Sequence, residues 1–417
     1  MTKTRQQTTF PQKPKITIVG GGIGGLTSAI CLLRKGFEVE VYEAADSYKN
    51  VGGGHWLYGN ALQTLHEVCP DIVKTMRSKG YKFDGFLFTD NKKREIMYKS
   101  VAPFVPSEPF APIVLQRADI INILAAQLPK SCLHFGKRLL SLQEEHKTLE
   151  FTDGTVVSYE VLIGADGIHS PIRTKIFGNI HPNNSQQVGI WGISDKKLPD
   201  DDRHLFTELW GDGVRAGYTY VGTGEIYWFM VVRAKDMPKG DFEILDFLRD
   251  SGKDFPTDVM QLILDTEPDK IHINPLFDLP IMKKWFVKDI CCIGDSAHAC
   301  TPNLGQGGCQ AIEDGYWLAE MLDRHENTEK AFYHFQKKRF RKARAVVLLS
   351  RWLGKIAQSK GILPRWFRNT IIRYHPVRLV ESVLKWIMTL PKRYFDAPPK
   401  LQSPTNSDLH QITSKEA

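Results

Sequence analysis

The 417-residue chain is marked first by what is missing from it. No run of about 18 apolar residues occurs, which argues against a membrane-spanning helix. Met1 to Lys13 is polar and has no apolar core of signal-peptide length, so it reads as a flexible leader and not as a secretion signal. Cysteine is scarce and odd in number: the seven are scattered, with no CxxC pair and no metal-ligand spacing, so neither a disulfide framework nor a metal site is expected. Cys291 and Cys292 lie in an apolar run, where they would serve as small hydrophobes. A reducing compartment, the cytoplasm, follows. There is no internal repeat and no nucleic-acid recognition module, so nucleic-acid binding is not expected. Acidic residues are missing from one region: between Ala331 and Arg393, sixteen Lys or Arg face Glu381 alone. That segment carries about +15 in a chain whose net charge is +8, so the remainder is near −7.

What is present is enough for a large core. The chain is 42% hydrophobic and 24% charged, values of an ordinary globular protein. Lys15 to Val19 is a β-branched run, followed by glycines, by the helical spacing Leu26, Ala29, Ile30, Leu33, and by an alternating run from Glu38 to Tyr42. Strand, turn, helix and strand within about 30 residues open a doubly wound nucleotide-binding fold. Ser141 to Ile163 reads as a hairpin turning at Asp153-Gly154. Gln187 to Arg233 holds aromatic-rich strands punctuated by Asp212-Gly213 and Gly222-Thr223-Gly224. Cys291 to Ile293 reads as a buried strand, Gln310 to Leu322 as a helix, and the rest as basic helices broken near Gly361, Pro364, Pro376 and Pro391. The expected fold is α/β: a Rossmann-like dinucleotide-binding domain with an inserted antiparallel substrate sheet and a helical C-terminal cap. Its expected parts are the leader 1–13, the nucleotide domain 14–180, the sheet 181–280, the closing part of the nucleotide domain 281–330, the basic helical region 331–397 and a disordered tail 398–417.

Three motifs carry the chemistry. In Gly20-x-Gly22-x-x-Gly25, the first glycine permits a tight turn, the second lets backbone approach a pyrophosphate, and the third lets helix and strand pack closely. Ile23 and Gly24 complete the turn. Glu43, 18 residues after Gly25, ends the second strand where a carboxylate can accept ribose hydroxyls, with Ala44 beside it. An acid there favours FAD or NAD over NADP as the resident dinucleotide. The second motif runs Gly164-Ala165-Asp166-Gly167-Ile168-His169-Ser170-Pro171-Ile172-Arg173. The third runs Gly294-Asp295-Ser296-Ala297-His298, then Thr301-Pro302-Asn303-Leu304-Gly305-Gln306-Gly307-Gly308-Cys309, then Gln310-Ala311-Ile312-Glu313-Asp314.

At these residues, over roughly Lys15 to Arg344, the chain resembles the para-hydroxybenzoate hydroxylase-like flavoprotein monooxygenases. The resemblance is closest to the branch holding urate hydroxylase, salicylate hydroxylases and zeaxanthin epoxidase. It implies FAD as cofactor, with Asp295 on a ribityl hydroxyl, Pro302 against the flavin ring, and Gly305, Gln306, Gly307, Gly308 and Cys309 at its N1–C2=O edge. A helix end there would stabilise the reduced, anionic flavin. The resemblance also places Asp166 near the pyrophosphate, Arg173 as a phosphate partner, Arg117 on the flavin and the Leu139 backbone beside the adenine. For Arg117, a surface residue balanced by Asp119 is the competing reading. Gly54, in Gly52-Gly53-Gly54-His55-Trp56-Leu57-Tyr58-Gly59-Asn60-Ala61, falls in the family's mobile flavin-side segment. Here His55 and Trp56 stand where small or aliphatic residues are usual, and Gly59 replaces a common proline; a larger lid and a difference without consequence both fit.

With only one glycine fingerprint, NADH or NADPH has no Rossmann pocket of its own, and the resemblance implies a transient visit to reduce FAD. Oxygen then gives a flavin hydroperoxide that hydroxylates or epoxidises a small aromatic or unsaturated substrate. On the inserted sheet, Arg215 and Tyr227 are spaced like the arginine–tyrosine pair that faces substrate in urate hydroxylase. Tyr218, Tyr220 and Trp228 read as further aromatic faces of the same sheet. A cross-strand ion pair at Arg215 and a core position for Tyr227 are the alternative. The basic C-terminal region, with Trp352, Trp366, Phe367, Trp386 and Tyr394 among its cations, resembles an interfacial element that would admit a lipophilic substrate from the inner surface of a membrane; a solvated helix face is the other reading. Reduction of isoprenoid double bonds and a non-catalytic flavin-binding sensor are rival functions. Halogenation is disfavoured, because Trp-x-Trp-x-Ile-Pro is absent.

Overall fold

The computed structural model describes residues 13–49, 52–105, 107–196, 204–222, 224–374 and 377–390. The expected tail, Pro376, Pro391, Tyr394, Thr223 and all of the leader except Lys13 lie outside them; Lys13 itself bonds Asp323 at 2.5 Å.

A six-stranded sheet forms the nucleotide layer, in the order Phe286–Val287, Ile290–Cys292, Val161–Gly164, Ile16–Val19, Val39–Tyr42, Leu133–His134. All its pairs are parallel except Phe286–Val287 with Ile290–Cys292. Ile16–Val19 and Val161–Gly164 are buried at every position, as strands covered on both faces should be. The helix Ile23–Arg34 packs on this layer and against Gly307–Arg324. The chain enters the layer near residues 16, 161 and 290, so its motifs arrive together at the carboxyl ends of adjacent strands, where doubly wound folds bind ligands.

The second large sheet has seven strands: His272–Asp278, Asn183–Ser194, Glu225–Arg233, Arg215–Val221, Leu205–Trp210, Gly85–Asp90, Glu95–Ser100. Two features differ from the expectation for 181–280. The sheet recruits Gly85–Ser100 from the first part of the chain, and Leu205–Trp210 pairs with Gly85–Asp90 in parallel. A tight hairpin cannot make that pair, because more than a hundred residues separate its strands. Alternation also divides the aromatic residues. Tyr218, Tyr220 and Trp228 pack with Leu248, Val259 and Leu262 on one face, whereas Tyr227 and Phe229 point to the other, toward the nucleotide layer.

The helices Thr328–Ala357, Ile362–Arg373 and Val377–Met388 close the fold. Pro364 does not break the second of these: it lies in the first turn, where a missing N–H costs nothing, and Gly361 at φ +93° makes the actual break.

Candidate active site

The turn after Ile16–Val19 is built on close approaches. A Cβ on Gly20, at φ +107°, would overlap the Ala165 carbonyl, and one on Gly25 would overlap the Gly20 oxygen. Gly22 faces open space, with nothing within 4 Å, and heads the Ile23–Arg34 helix whose first N–H groups lack intrahelical partners. A Cβ on Gly24 would come 3.2 Å from the Ala311 Cβ of the Gly307–Arg324 helix, a tight contact that would push the two helices slightly apart. Glu43 is clamped by N–H groups of Gly21 (2.6 Å) and Ala45 (2.8 Å), with Ala44 between. Lys137 N–H donates to the Glu43 carbonyl at 2.8 Å, which brings the segment leading to Leu139 alongside.

Asp166 accepts from Ile172 N–H at 3.1 Å, while its other oxygen is buried without a partner; burial pushes its pKa up. Arg173, expected on a phosphate, instead donates to the carbonyls of Ile168 (2.6 Å) and Ser296 (3.1 Å). It fastens the second motif to the third. The Asp295 side chain is exposed, yet desolvation by the surrounding protein raises its pKa, against the opposing charges of His298 and Arg117.

Beneath the loop Pro302 to Gly308 lies a buried polar network that the sequence reading missed. Arg339 donates to Asp314 (2.7 Å), to Glu313 (2.5 Å) and to Gln310 (2.7 Å), and Lys342 donates to Glu313 (2.6 Å). Asn60 bridges Gln306 (3.2 Å) and Glu313 (2.6 Å). Asp314 also meets His298 (2.6 Å) and accepts from Gly294 N–H (2.9 Å). Burial alone would raise the Asp314 carboxyl, but the charges of His298 and Arg339 hold it at about 2. The network fixes both ends of the third motif. Gly305 turns at φ +60°, Gly307 and Gly308 start the helix, and Cys309 lies buried with its thiol pushed up to about 12 by burial.

Gly54–Leu57 forms a strand paired with Ile113–Gln116, and its two unusual residues face opposite ways. The His55 ring lies on Gly308, where a Cβ would strike Nε2; that nitrogen is buried without a partner. Burial, helped by the Arg117 charge, lowers the His55 pKa to about 4, so the imidazole is neutral at ordinary pH. Arg117 is exposed and donates its backbone N–H to Gly53 at 3.1 Å; Asp119 lies 3.4 Å from Lys79. Trp56 turns to the seven-stranded sheet, edge-on to Phe206 (5.2 Å) and Tyr227 (5.8 Å). Gly53 and Gly54 lie on the Tyr227 ring, each 2.8 Å from it at the Cβ position, which leaves room for no side chain.

Tyr227 thus stands where the two layers meet, half-buried, its hydroxyl held protonated by burial. Arg215 is on the same sheet face but its charge is taken: it pairs with Glu208 at 2.8 Å and donates to the Asn303 side chain. Of the two readings of Arg215, this placement is the cross-strand ion pair. Glu208 and Asn303 were not singled out from sequence, although Glu208 shares a period-two face with Phe206 and Trp210.

The open space at Gly22, the unpartnered oxygen of Asp166, the exposed Asp295 and the helix start at Gly307 suit FAD in turn: pyrophosphate, ribityl chain and flavin edge. Comparison with known proteins agrees. Residues 13–349 match the family described as the FAD binding domain. The chain is 29% identical over 366 residues to aurachin C monooxygenase/isomerase of Stigmatella aurantiaca, covering 86% of this chain and 93% of that protein. It is 28% identical over 369 residues to FAD-dependent urate hydroxylase of Klebsiella pneumoniae, covering 85% and 94%. The crystal structure of Klebsiella pneumoniae HpxO with FAD and uric acid shares the fold, with a TM-score of 0.81 and 24% identity over 90% of this chain and 96% of that one. The protein is therefore an FAD-dependent oxidoreductase, and the chain belongs to the FAD-binding-domain family in its monooxygenase division.

Proposed function

We propose that the protein uses NADH or NADPH and O2 to hydroxylate or epoxidise a small, neutral, lipophilic aromatic or unsaturated molecule. The observation that carries this reading is the composition of the sheet face opposite the glycine motifs. Phe206, Tyr227 and Phe229 present rings there, Trp56 closes the face from the other layer, and the Arg215 charge is closed by Glu208. A neutral ring loses little water on entering such a site, whereas an anion would find no free counter-charge on Arg215. Residues 14–180 and 281–330 would hold FAD, with 181–280 and the added strands 85–100 forming the substrate wall.

Bound FAD would supply the redox chemistry, accepting hydride from the nicotinamide and activating oxygen. The residues of this chain orient and shield. Gly20, Gly22, Ile23, Gly24, Gly25, Glu43, Ala44, Leu139 and Asp166 would seat the adenosine and pyrophosphate; Asp295 the ribityl chain; Gly54, Arg117, Pro302, Gly305, Gln306, Gly307, Gly308 and Cys309 the flavin. Arg215 acts as a positioning residue, holding Asn303 and with it the neighbouring Pro302. Tyr227, protonated, offers substrate a ring edge and a hydrogen-bond donor, not a base.

The reading includes a reducing compartment, the cytoplasm, in keeping with seven free cysteines, and a site at the inner surface of a membrane from which lipophilic substrate is drawn. Among the described residues no helix is long and apolar enough to cross a membrane, so such contact would be peripheral. NAD(P)H consumption measured with and without oxygen, across a panel of neutral and anionic aromatics, tests the proposal. Oxygen-dependent consumption stimulated by neutral ligands supports it. Consumption indifferent to oxygen would indicate double-bond reduction, and none with any ligand would indicate a sensor.

A further inference from the structure

The helix Ile362–Arg373 is inside out. Ile362, Leu363, Trp366, Phe367, Ile371 and the adjoining Tyr374 are between 56% and 85% exposed, and at 3.6 residues per turn they fall on one half of the helix. Arg368 and Ile372, on the other half, are buried. Arg368 donates to the carbonyls of Trp210, Gly211 and Ala357 at 3.0 to 3.4 Å and lies 5.2 Å over the Trp210 ring. Arg365 reaches the Asn91 side chain at 3.3 Å, Arg373 reaches the Glu95 carbonyl at 2.9 Å, and Gly361 N–H donates to Asp212 at 2.7 Å. The helix therefore grips the edge of the seven-stranded sheet through arginines and leaves its aromatic side bare.

The flanks of this stripe are cationic. Lys355, Arg378 and Lys385 are exposed, as are Trp352 and Trp386, whereas Lys360 shares a pocket with Asp212, Asp236, Asp250 and Asp254 and adds no net charge. The one acid between 331 and 390, Glu381, is paired with Lys99. Contiguous exposed apolar surface rimmed by charge marks an interaction face. We propose that this face docks on an anionic lipid bilayer, the stripe entering the headgroup–acyl boundary and the cations lying over the headgroups. Charge selects this occupant. A second copy of the chain would press like cations together, while an anionic bilayer offers both an apolar interior and the complementary sign. The inference deepens the functional reading by naming the source of a lipophilic substrate, but it rests on these surface residues alone. A run of rings leads from this face toward the proposed substrate wall: Trp210, under Arg368, packs on Phe88 with ring centroids 5.3 Å apart, and Phe88 on Phe206 with centroids 6.4 Å apart.

The test is co-sedimentation of the full-length, FAD-loaded protein with phosphatidylcholine vesicles, with and without phosphatidylglycerol. Wild type should bind only the mixed vesicles, and less as salt rises past physiological strength. Trp366→Ser combined with Phe367→Ser should weaken binding tenfold or more. Lys355→Gln and Lys385→Gln should weaken it about fivefold each. FAD content and flavin-dependent NAD(P)H consumption should not change in any variant. Equal binding to uncharged vesicles, salt-independent binding, or unchanged binding of the aromatic variant would overturn the proposal, as would a lipid-free dimer that the aromatic variant dissolves. A wild type that binds neither vesicle while its oxygen-dependent NAD(P)H consumption is intact would remove this inference and leave the reaction assignment standing.

Discussion

Arg215 and Glu208 meet inside the seven-stranded sheet at 2.8 Å, with side chains only 3% and 5% exposed. A pair so deeply buried makes removal of one partner costly, because the other charge is left in the interior. Arg215→Ala should therefore destabilise the protein by about 3–5 kcal/mol in denaturant unfolding, and pairing it with Glu208→Leu should recover most of the loss. Were Arg215 instead an anion-binding group, the single variant would keep its stability and lose only ligand affinity.

Asp295 presents the converse case. Its carboxyl pKa is raised by the surrounding protein before any hydroxyl is there to donate to it. Asp295→Ala should leave the apoprotein at least as stable as wild type while weakening FAD binding by about 1.5–3 kcal/mol, roughly 10- to 100-fold. Flavin fluorescence titration reads the affinity, and unchanged affinity would remove the assigned role.

His55 gives the apoprotein a pH signature. Its folded pKa, about 4, lies below the unfolded value of 6.5, so the unfolded chain binds more protons in between. The stability that this residue contributes is complete above 6.5 and falls as pH drops toward 4, by on the order of 3 kcal/mol. His55→Ile should flatten that part of the profile. The difference between the two proteins isolates it from His334, whose pKa is also lowered to about 4. Parallel profiles would mean that the imidazole is already protonated or hydrated where it lies.

Tyr227→Phe should keep FAD content and melting temperature, since the ring and its contacts with Gly53, Gly54 and Trp56 remain. With the hydroxyl held protonated, substrate affinity should fall by about 0.5–1.5 kcal/mol, the worth of one neutral hydrogen bond, and the pH–rate profile should not move. A shifted basic limb would show that the phenol titrates during turnover.

The nucleotide half of the site was legible because its demands are on the backbone. Gly20 and Gly25 stand where any Cβ would collide, and Gly305 turns at positive φ, so the chain must spell these positions with glycine whatever surrounds them. Asp166 and Asp295 ride on the same short segments. The substrate half depends on partners far away in sequence. Nothing local to Arg215 announces that Glu208 neutralises it or that Asn303, 88 residues on, shares it. Gly85–Ser100 reads as a strand pair by itself, but its place beside Leu205–Trp210 is decided by the crossover between them. The same holds for Arg339, whose partners Glu313 and Asp314 precede it by 26 and 25 residues. The sequence expectation groups Trp228 with Tyr227 as aromatic substrate faces, but strand alternation puts them on opposite faces, and which face meets the nucleotide layer is set by packing.

Mass spectrometry of the products formed under 18O2, from matched neutral and carboxylated aromatics with NADH or NADPH, tests the central claim most directly. The aromatic sheet face and the closed Arg215–Glu208 pair predict a single 18O atom in the product of a neutral, lipophilic substrate, with the carboxylated partner left unreacted. Label appearing only in carboxylated products, or a reduced product without label, would contradict the account.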